Sequence, residues 1–139
     1  MQKLDDIKCS YPLSVAKLVK TGKSAVVDLA DSHSTMLIIP RGSGTSTCKY
    51  YFYHASASTT LAASGTAFTT NPSLSTTGAS AVYCVLLQNQ PAVKRYLIIK
   101  QSTLAASLAI GVIALNSYNR AVPPSATLGA FTSVTRLGV

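Results

Sequence analysis

The side chains able to do acid–base or metal chemistry are few, and three of them sit in one short run. Asp28, Asp31 and His33 lie within DLADSH, and the only other carboxylate side chains in the 139 residues are Asp5 and Asp6. Three such groups can in principle hold a cation, but their spacing matches no established ligand pattern. Asp and Ser at a turn between strands more often hydrogen-bond the local backbone. Catalysis by paired carboxylates has only the same four Asp residues to draw on. A Ser-His-Asp triad needs no adjacency in sequence, so in a chain this rich in serine the residue types carry no information either way. The strained Gly-x-Ser-x-Gly turn is absent, and so are phosphate-loop and dinucleotide motifs. Arg41-Gly42-Ser43-Gly44 is a basic loop too short to cradle a phosphate. His54 ends an aromatic stretch and reads as a packed ring. Cys9, Cys48 and Cys84 contain no Cys-x-x-Cys pair, which leaves a zinc or redox site unsupported. Cys48 and Cys84 stand inside apolar runs, where Cys acts as a small hydrophobe. The expectation is a protein that is not an enzyme and has no metal or cofactor.

The charge says more. Glu is absent, and from Ser32 to Val139 there is no carboxylate side chain, while Arg41, Lys49, Lys94, Arg95, Lys100, Arg120 and Arg136 remain. The formal net charge is +8. Unpaired positive charge attracts nucleic acid, an anionic membrane or an acidic protein surface, although net charge also serves plain solubility. Tyr50 to Tyr53 could stack bases. Against nucleic acid, the cations are spread along the chain, with Lys94-Arg95 as the one clustered pair in that span, and no DNA- or RNA-binding signature appears.

The elements that position these residues read as strands. The chain is organised around Lys94 to Val122, which holds the densest apolar material. Tyr96 to Ile99 is β-branched and aromatic, and a Ser/Thr/Ala link leads to Leu108–Leu115, so two strands joined by a short link are the simplest reading. The segment Leu104–Leu115 is too short to cross a membrane as a helix. A buried helix fits its spacing as well, but Gly111 and the β-branched Ile110, Val112 and Ile113 favour a strand. Ser24–Ala30 and Thr35–Ile39 are strands, the second ended by Pro40. In Cys48–His54, alternation puts Cys48, Tyr50, Phe52 and His54 on one face and Lys49, Tyr51 and Tyr53 on the other. The stretch Ala55–Ala79 is a Ser/Thr-rich loop, with a weak strand around Thr66–Thr70. Ala81–Gln88 is a strong apolar strand. Pro123-Pro124 breaks regular structure, and a last strand is possible around Ala130–Val134. Ser14–Lys20 has room for two helical turns at most, with Gly22 to stop it; an extended arm is the alternative. Many short strands with turns between them predict an all-β fold: an antiparallel β-sandwich, jelly-roll-like, over 24–122, with extended terminal arms over 1–23 and 123–139.

Two segments resemble a known family. VVDLADSHSTMLIIPRG, Val26 to Gly42, resembles the first strands of head-decoration, or capsid cement, proteins of tailed bacteriophages. RYLIIKQSTLAASLAIGVIALNSYNRAVP, Arg95 to Pro123, resembles their closing pair of strands. Together they cover about a third of the chain, in the right order. The longer basic N-terminal segment and the Ser/Thr-rich middle depart from that pattern.

The resemblance implies a non-catalytic structural virion protein on the outer capsid surface, made in the host cytoplasm. Its partner would be the major capsid protein, whose neighbouring subunits it would cement around a DNA-filled head. Apart from the resemblance, a two-faced aromatic strand and the prevalence of closed two-fold pairs point to self-association as a homodimer, with a trimer as rival, and no membrane or direct nucleic-acid contact is expected. On the residues themselves, the candidates for capsid binding are Lys3, Lys8, Tyr11, Lys17, Lys20, Lys23, Arg41, Arg120 and Arg136, and those for self-association are Tyr51 and Tyr53. The reading from a different class is a nucleic-acid-binding coat protein of a small virus, with the cations on the genome. The absence of a secretory pattern and the unpaired thiols point to synthesis in a reducing cytosol.

Overall fold

The computed structural model describes residues 7–17, 23–42, 44, 46–58, 65–77, 80–102, 109–118, 131 and 133–139, with backbone alone for 13–17 and 109–110. Among these residues the regular elements are all strands: β1 (Ile7–Lys17), β2 (Ser24–Asp28), β3 (Ser34–Arg41), β4 (Cys48–Ala55), β5 (Thr66–Ala67), β6 (Ser73–Thr76), β7 (Ala81–Gln88), β8 (Tyr96–Gln101), β9 (Ala109–Ser117) and β10 (Ser133–Leu137). They form two sheets. Sheet I has the order β1-β9-β3-β7-β10, and sheet II runs β2-β8-β4-β5, with β6 also paired to β4. All pairings are antiparallel except β10 on β7.

The antiparallel pairs nest. β1 joins β9, β2 joins β8, β3 joins β7, and β4 joins β6, so the first half of the chain pairs with the second half in reverse order. The next step, β9 onto β3, rolls these pairs into the broad sheet I. β8 and β9, consecutive in the chain, therefore lie in different sheets.

Alternation explains the core. β3 and β4 each place every second residue inside, and Leu37, Ile39, Tyr50 and Phe52 are all at or below 1% exposed. They meet Val27, Val85, Leu87, Leu97, Ile99, Val112 and Ala114 in one cluster between the sheets. Burying a side chain of this size contributes roughly 1.5–3 kcal/mol. Phe68 closes one end of the cluster, with its ring 4.9 Å from that of His54.

Pro40 does not end its strand. β3 runs on to Arg41 and pairs with β7 throughout, while its ladder to β9 skips from Ile38–Ile113 to Arg41–Ile110. The missing N–H of proline is absorbed in that gap. The chain ends also differ from the expected arms. Ile7–Lys17 is an edge strand of sheet I, bulged twice along β9, and not a helix or a free arm. Ser133–Leu137 is the opposite edge strand, later in the chain than the sequence pattern suggests. An edge offers a row of unpaired donors and acceptors, and both segments take such places because their peptide groups gain partners there. Beyond β10, Gly138 accepts hydrogen bonds from Thr69 N and Thr70 N and ties the strand to sheet II. A β-carbon at Gly138 would stand 3.0 Å from Thr70 Cβ, so a larger residue there would have to push the Thr70 side chain aside by a few tenths of an ångström.

Candidate functional site

The run DLADSH forms a corner between the sheets. Asp28 ends β2, its Oδ1 accepts from Ala30 N, and Asp31 takes a left-handed backbone with φ 60°, which Asp tolerates better than most residues. Asn116 donates to the Asp28 carbonyl and accepts from Thr35 Oγ1, and Asn89 Nδ2 donates to the carbonyls of Leu29 and Ser32. These bonds join β2, β3, β7 and β9. The Asp28 carboxylate is held by Arg95 in a two-pronged pair, Nε to Oδ1 at 3.0 Å and Nη2 to Oδ2 at 2.9 Å. The Arg95 hydrogen bonds, then the Ala30 amide, bring its pKa down to about 2. Among the described residues no three metal-ligating side chains converge, here or elsewhere.

Arg41 is in the wrong place for a capsid-binding residue. It is the last inward residue of β3 and only 3% exposed. Its Nη1 donates to Thr76 O at 2.9 Å and to Thr76 Oγ1 at 3.3 Å, and its Nη2 donates to Gly44 O at 3.0 Å and Ser46 O at 2.7 Å. Thr76 Oγ1 in turn donates to Cys48 O. The planar fork of Arg spans several acceptors at once, so the guanidinium staples Gly44 and Ser46 to Thr76 of β6. Beside it lie Cys48 and Tyr50, and burial pushes both pKa values up. A thiol held protonated is a poor nucleophile. The Tyr50 hydroxyl and Gln101 Nε2 are buried without a hydrogen-bond partner among the described residues.

His54 is packed, as its position suggests. It is 4% exposed, and its Nδ1 accepts from the Lys94 amide at 3.0 Å. Burial, and then the Lys94 charge, lower its pKa, so the ring is neutral at pH 7.

The outer face of sheet II gathers what the sequence scatters. Register places Ser24, Lys100, Tyr51 and Ser73 side by side in one row across β2, β8, β4 and β6. The next row is Val26, Ile98, Tyr53 and Ala67, and the third is Asp28, Tyr96 and Ala55. Lys49 stands outward two residues before Tyr51, and its backbone exchanges hydrogen bonds with Ser102. Ile98 is fully buried although it is on this outer side, in a row flanked by Val26 and Tyr53. Tyr51, Tyr53 and Tyr96 are half-buried, and Lys49, Lys100 and Arg95 are exposed. The Arg95 guanidinium lies 5.1 Å from the centre of the Tyr96 ring. Lys23, also exposed, is at the same end as Lys49 and Lys100, with its carbonyl accepting from Gln101 N.

The outer face of sheet I differs. Its rows are Leu115, Met36, Leu86 and Arg136, then Ile113, Ile38, Cys84 and Val134, then Pro40 and Val82. Cys84 and Leu86 are buried under Met36 and Phe131. Val82 and Val134 are both 37% exposed.

Of the remaining candidates, Lys8 and Tyr11 are exposed on the β1 edge of sheet I and Arg136 on its opposite β10 edge. Lys3, Lys20 and Arg120 lie outside the described residues, as does the side chain of Lys17. Sequence reasoning placed Lys49, Tyr51 and Tyr53 on one face but missed Tyr96 and Lys100 beside them. The signal that could have found them is the alternation of Tyr96, Ile98 and Lys100, which gives the face but not the neighbouring strand.

Comparison with protein-family models and with curated proteins yields no match for this chain. No helix among the described residues is long and apolar enough to cross a membrane.

Proposed function

We propose that this protein is a structural subunit of a viral shell. The nested pairing of β1 with β9, β2 with β8, β3 with β7 and β4 with β6 carries the reading. It is the order expected of one long hairpin rolled into a jelly roll, and jelly rolls build virus capsids among other domains. Fold alone does not fix function, so the faces matter. The apolar residues still exposed on the outside of sheet I, Val82 and Val134, beside the half-buried Met36, Ile38 and Leu115, are the kind of surface that a neighbouring subunit covers. A shell former buries such surface against copies of itself. This favours a coat protein, the reading from the different class, over the cement protein that the resemblance implies. A cement role keeps the same architecture and changes the neighbour to a major capsid protein.

The test is assembly of the purified protein alone, followed by sedimentation and electron microscopy. Closed particles of uniform size support the coat reading. A small oligomer that binds preformed tailed-phage heads supports cementing instead. A monomer that does neither removes the shell role.

A further inference from the structure

We infer that the outer face of sheet II is a binding surface for single-stranded nucleic acid. Two independent features coincide there. The first is charge: Lys100 and Lys49 stand on the face, with Lys23 at its end, brought together from β8, β4 and the start of β2. The described carboxylates, Asp28 and Asp31, both act at the opposite end, where they face Arg95. One end of the face is therefore positive without internal compensation from any described residue. A groove or face of this kind attracts a phosphate backbone.

The second feature is aromatic. Tyr51 and Tyr53 are two residues apart on one strand, roughly 7 Å along it, and each is half-buried against the sheet. Rings anchored this way lose little freedom when a base stacks on them, and stacking tolerates any base. Tyr96 adds a third ring on the neighbouring strand, already covered by Arg95. Ser24, Ser73 and Ser75 around the lysines supply hydroxyls for phosphate or ribose. The sequence argued against nucleic acid because its cations are scattered. The register removes that objection for these residues. An apolar self-interface fits less well, since lysines are depleted from such interfaces. The surface belongs to the free subunit and does not depend on the shell role.

The experiment is fluorescence anisotropy of a labelled oligouridine of about twenty nucleotides, with a duplex of equal length as control, across a salt series starting near 50 mM. Wild-type protein should bind the single strand more tightly than the duplex and lose affinity with salt. Tyr51→Ser with Tyr53→Ser should weaken binding at least about tenfold and leave the salt slope unchanged. Tyr51→Phe with Tyr53→Phe keeps the rings and should bind like wild type, which separates stacking from any loss of fold. Lys49→Ala with Lys100→Ala should lower the slope of log affinity against log salt by about 1.4. No binding at low salt overturns the inference. So does unchanged affinity in the double serine variant, which reduces the contact to charge alone. A fall in oligomer mass in that variant, with wild-type nucleic-acid affinity, assigns the tyrosines to a second copy of the chain.

Discussion

Tyr50 and Tyr51 are neighbours on β4 and have opposite fates. Tyr50 points into the sandwich, is fully buried, and its hydroxyl has no hydrogen-bond partner among the described residues. Tyr51 points outward, is half-buried, and stands beside Lys100. Arg41 and Arg95 repeat the contrast. The first is an internal staple bonded to carbonyl oxygens, and the second pairs with a carboxylate at the surface. The same residue type is structural on one side of a sheet and available to a partner on the other. The face a residue takes is set by the two-residue period of the strand, and only what lies across that face gives the side chain its role.

The largest effects should come from the inner face. Phe52→Ala leaves a cavity in the main cluster and should cost about 3–5 kcal/mol in urea unfolding. Tyr51→Ala, one residue away, should cost about 1 kcal/mol or less. Equal losses would break the contrast between the two faces.

Arg41→Ala should come next, at about 3 kcal/mol, because it orphans buried carbonyl groups of Thr76 and Ser46. Arg41→Lys should recover little, since one ammonium cannot span the acceptors that the fork reaches. Full recovery by Lys would show that charge, and not geometry, holds the loop.

His54 gives a smaller, pH-dependent effect. Its folded-state pKa is below the ordinary value, so the folded state binds fewer protons than the unfolded one. Stability from this site is complete above pH 6.5 and falls as the pH drops below that value toward the lowered pKa. Thermal melts of wild type between pH 7 and 5 should show the loss, and His54→Phe should flatten it. A flat wild-type profile would mean that the ring stays solvated.

Arg95→Ala should have the smallest effect on stability, a small fall in the urea midpoint at neutral pH that is screened by salt, as for most exposed pairs, and that disappears in acid once Asp28 is protonated. Its visible consequence is on Asp28, whose pKa should rise from about 2 back toward 3.8 in a carboxyl NMR titration. The stability that the depressed Asp28 pKa contributes is present above pH 3.8 and lost as the pH falls toward 2. An Asp28 pKa that stays low without Arg95 would assign the shift to the Ala30 amide instead.

Much of the fold was legible in the residues. The alternation in Cys48–His54 gave both faces of β4, and the apolar runs gave β7 to the residue and most of β2, β3 and β8. Gly111 with its β-branched neighbours pointed to the strand that became β9. These are local properties, and a period of two survives without knowledge of the partner strand. The terminal strands were less legible. β1 in fact alternates, with Ile7, Cys9, Tyr11, Leu13 and Val15 at every second position, a strand signal that Pro12 and the surrounding lysines obscured, whereas β10 is short and offers only Val134 and Leu137.

Register was beyond the sequence. Nothing local says that Lys100 lies beside Tyr51, or that Lys23, Lys49 and Lys100 share one end of a sheet, because those pairings join residues dozens of positions apart. Nor does the Arg41 sequence context distinguish a buried staple from a surface cation; the inward turn of β3 at its last residue decides that. The sequence by itself determined strand type, face and the shortage of acids. The tertiary structure alone decided which cations and rings stand together, since long-range pairing sets distances that local preference cannot.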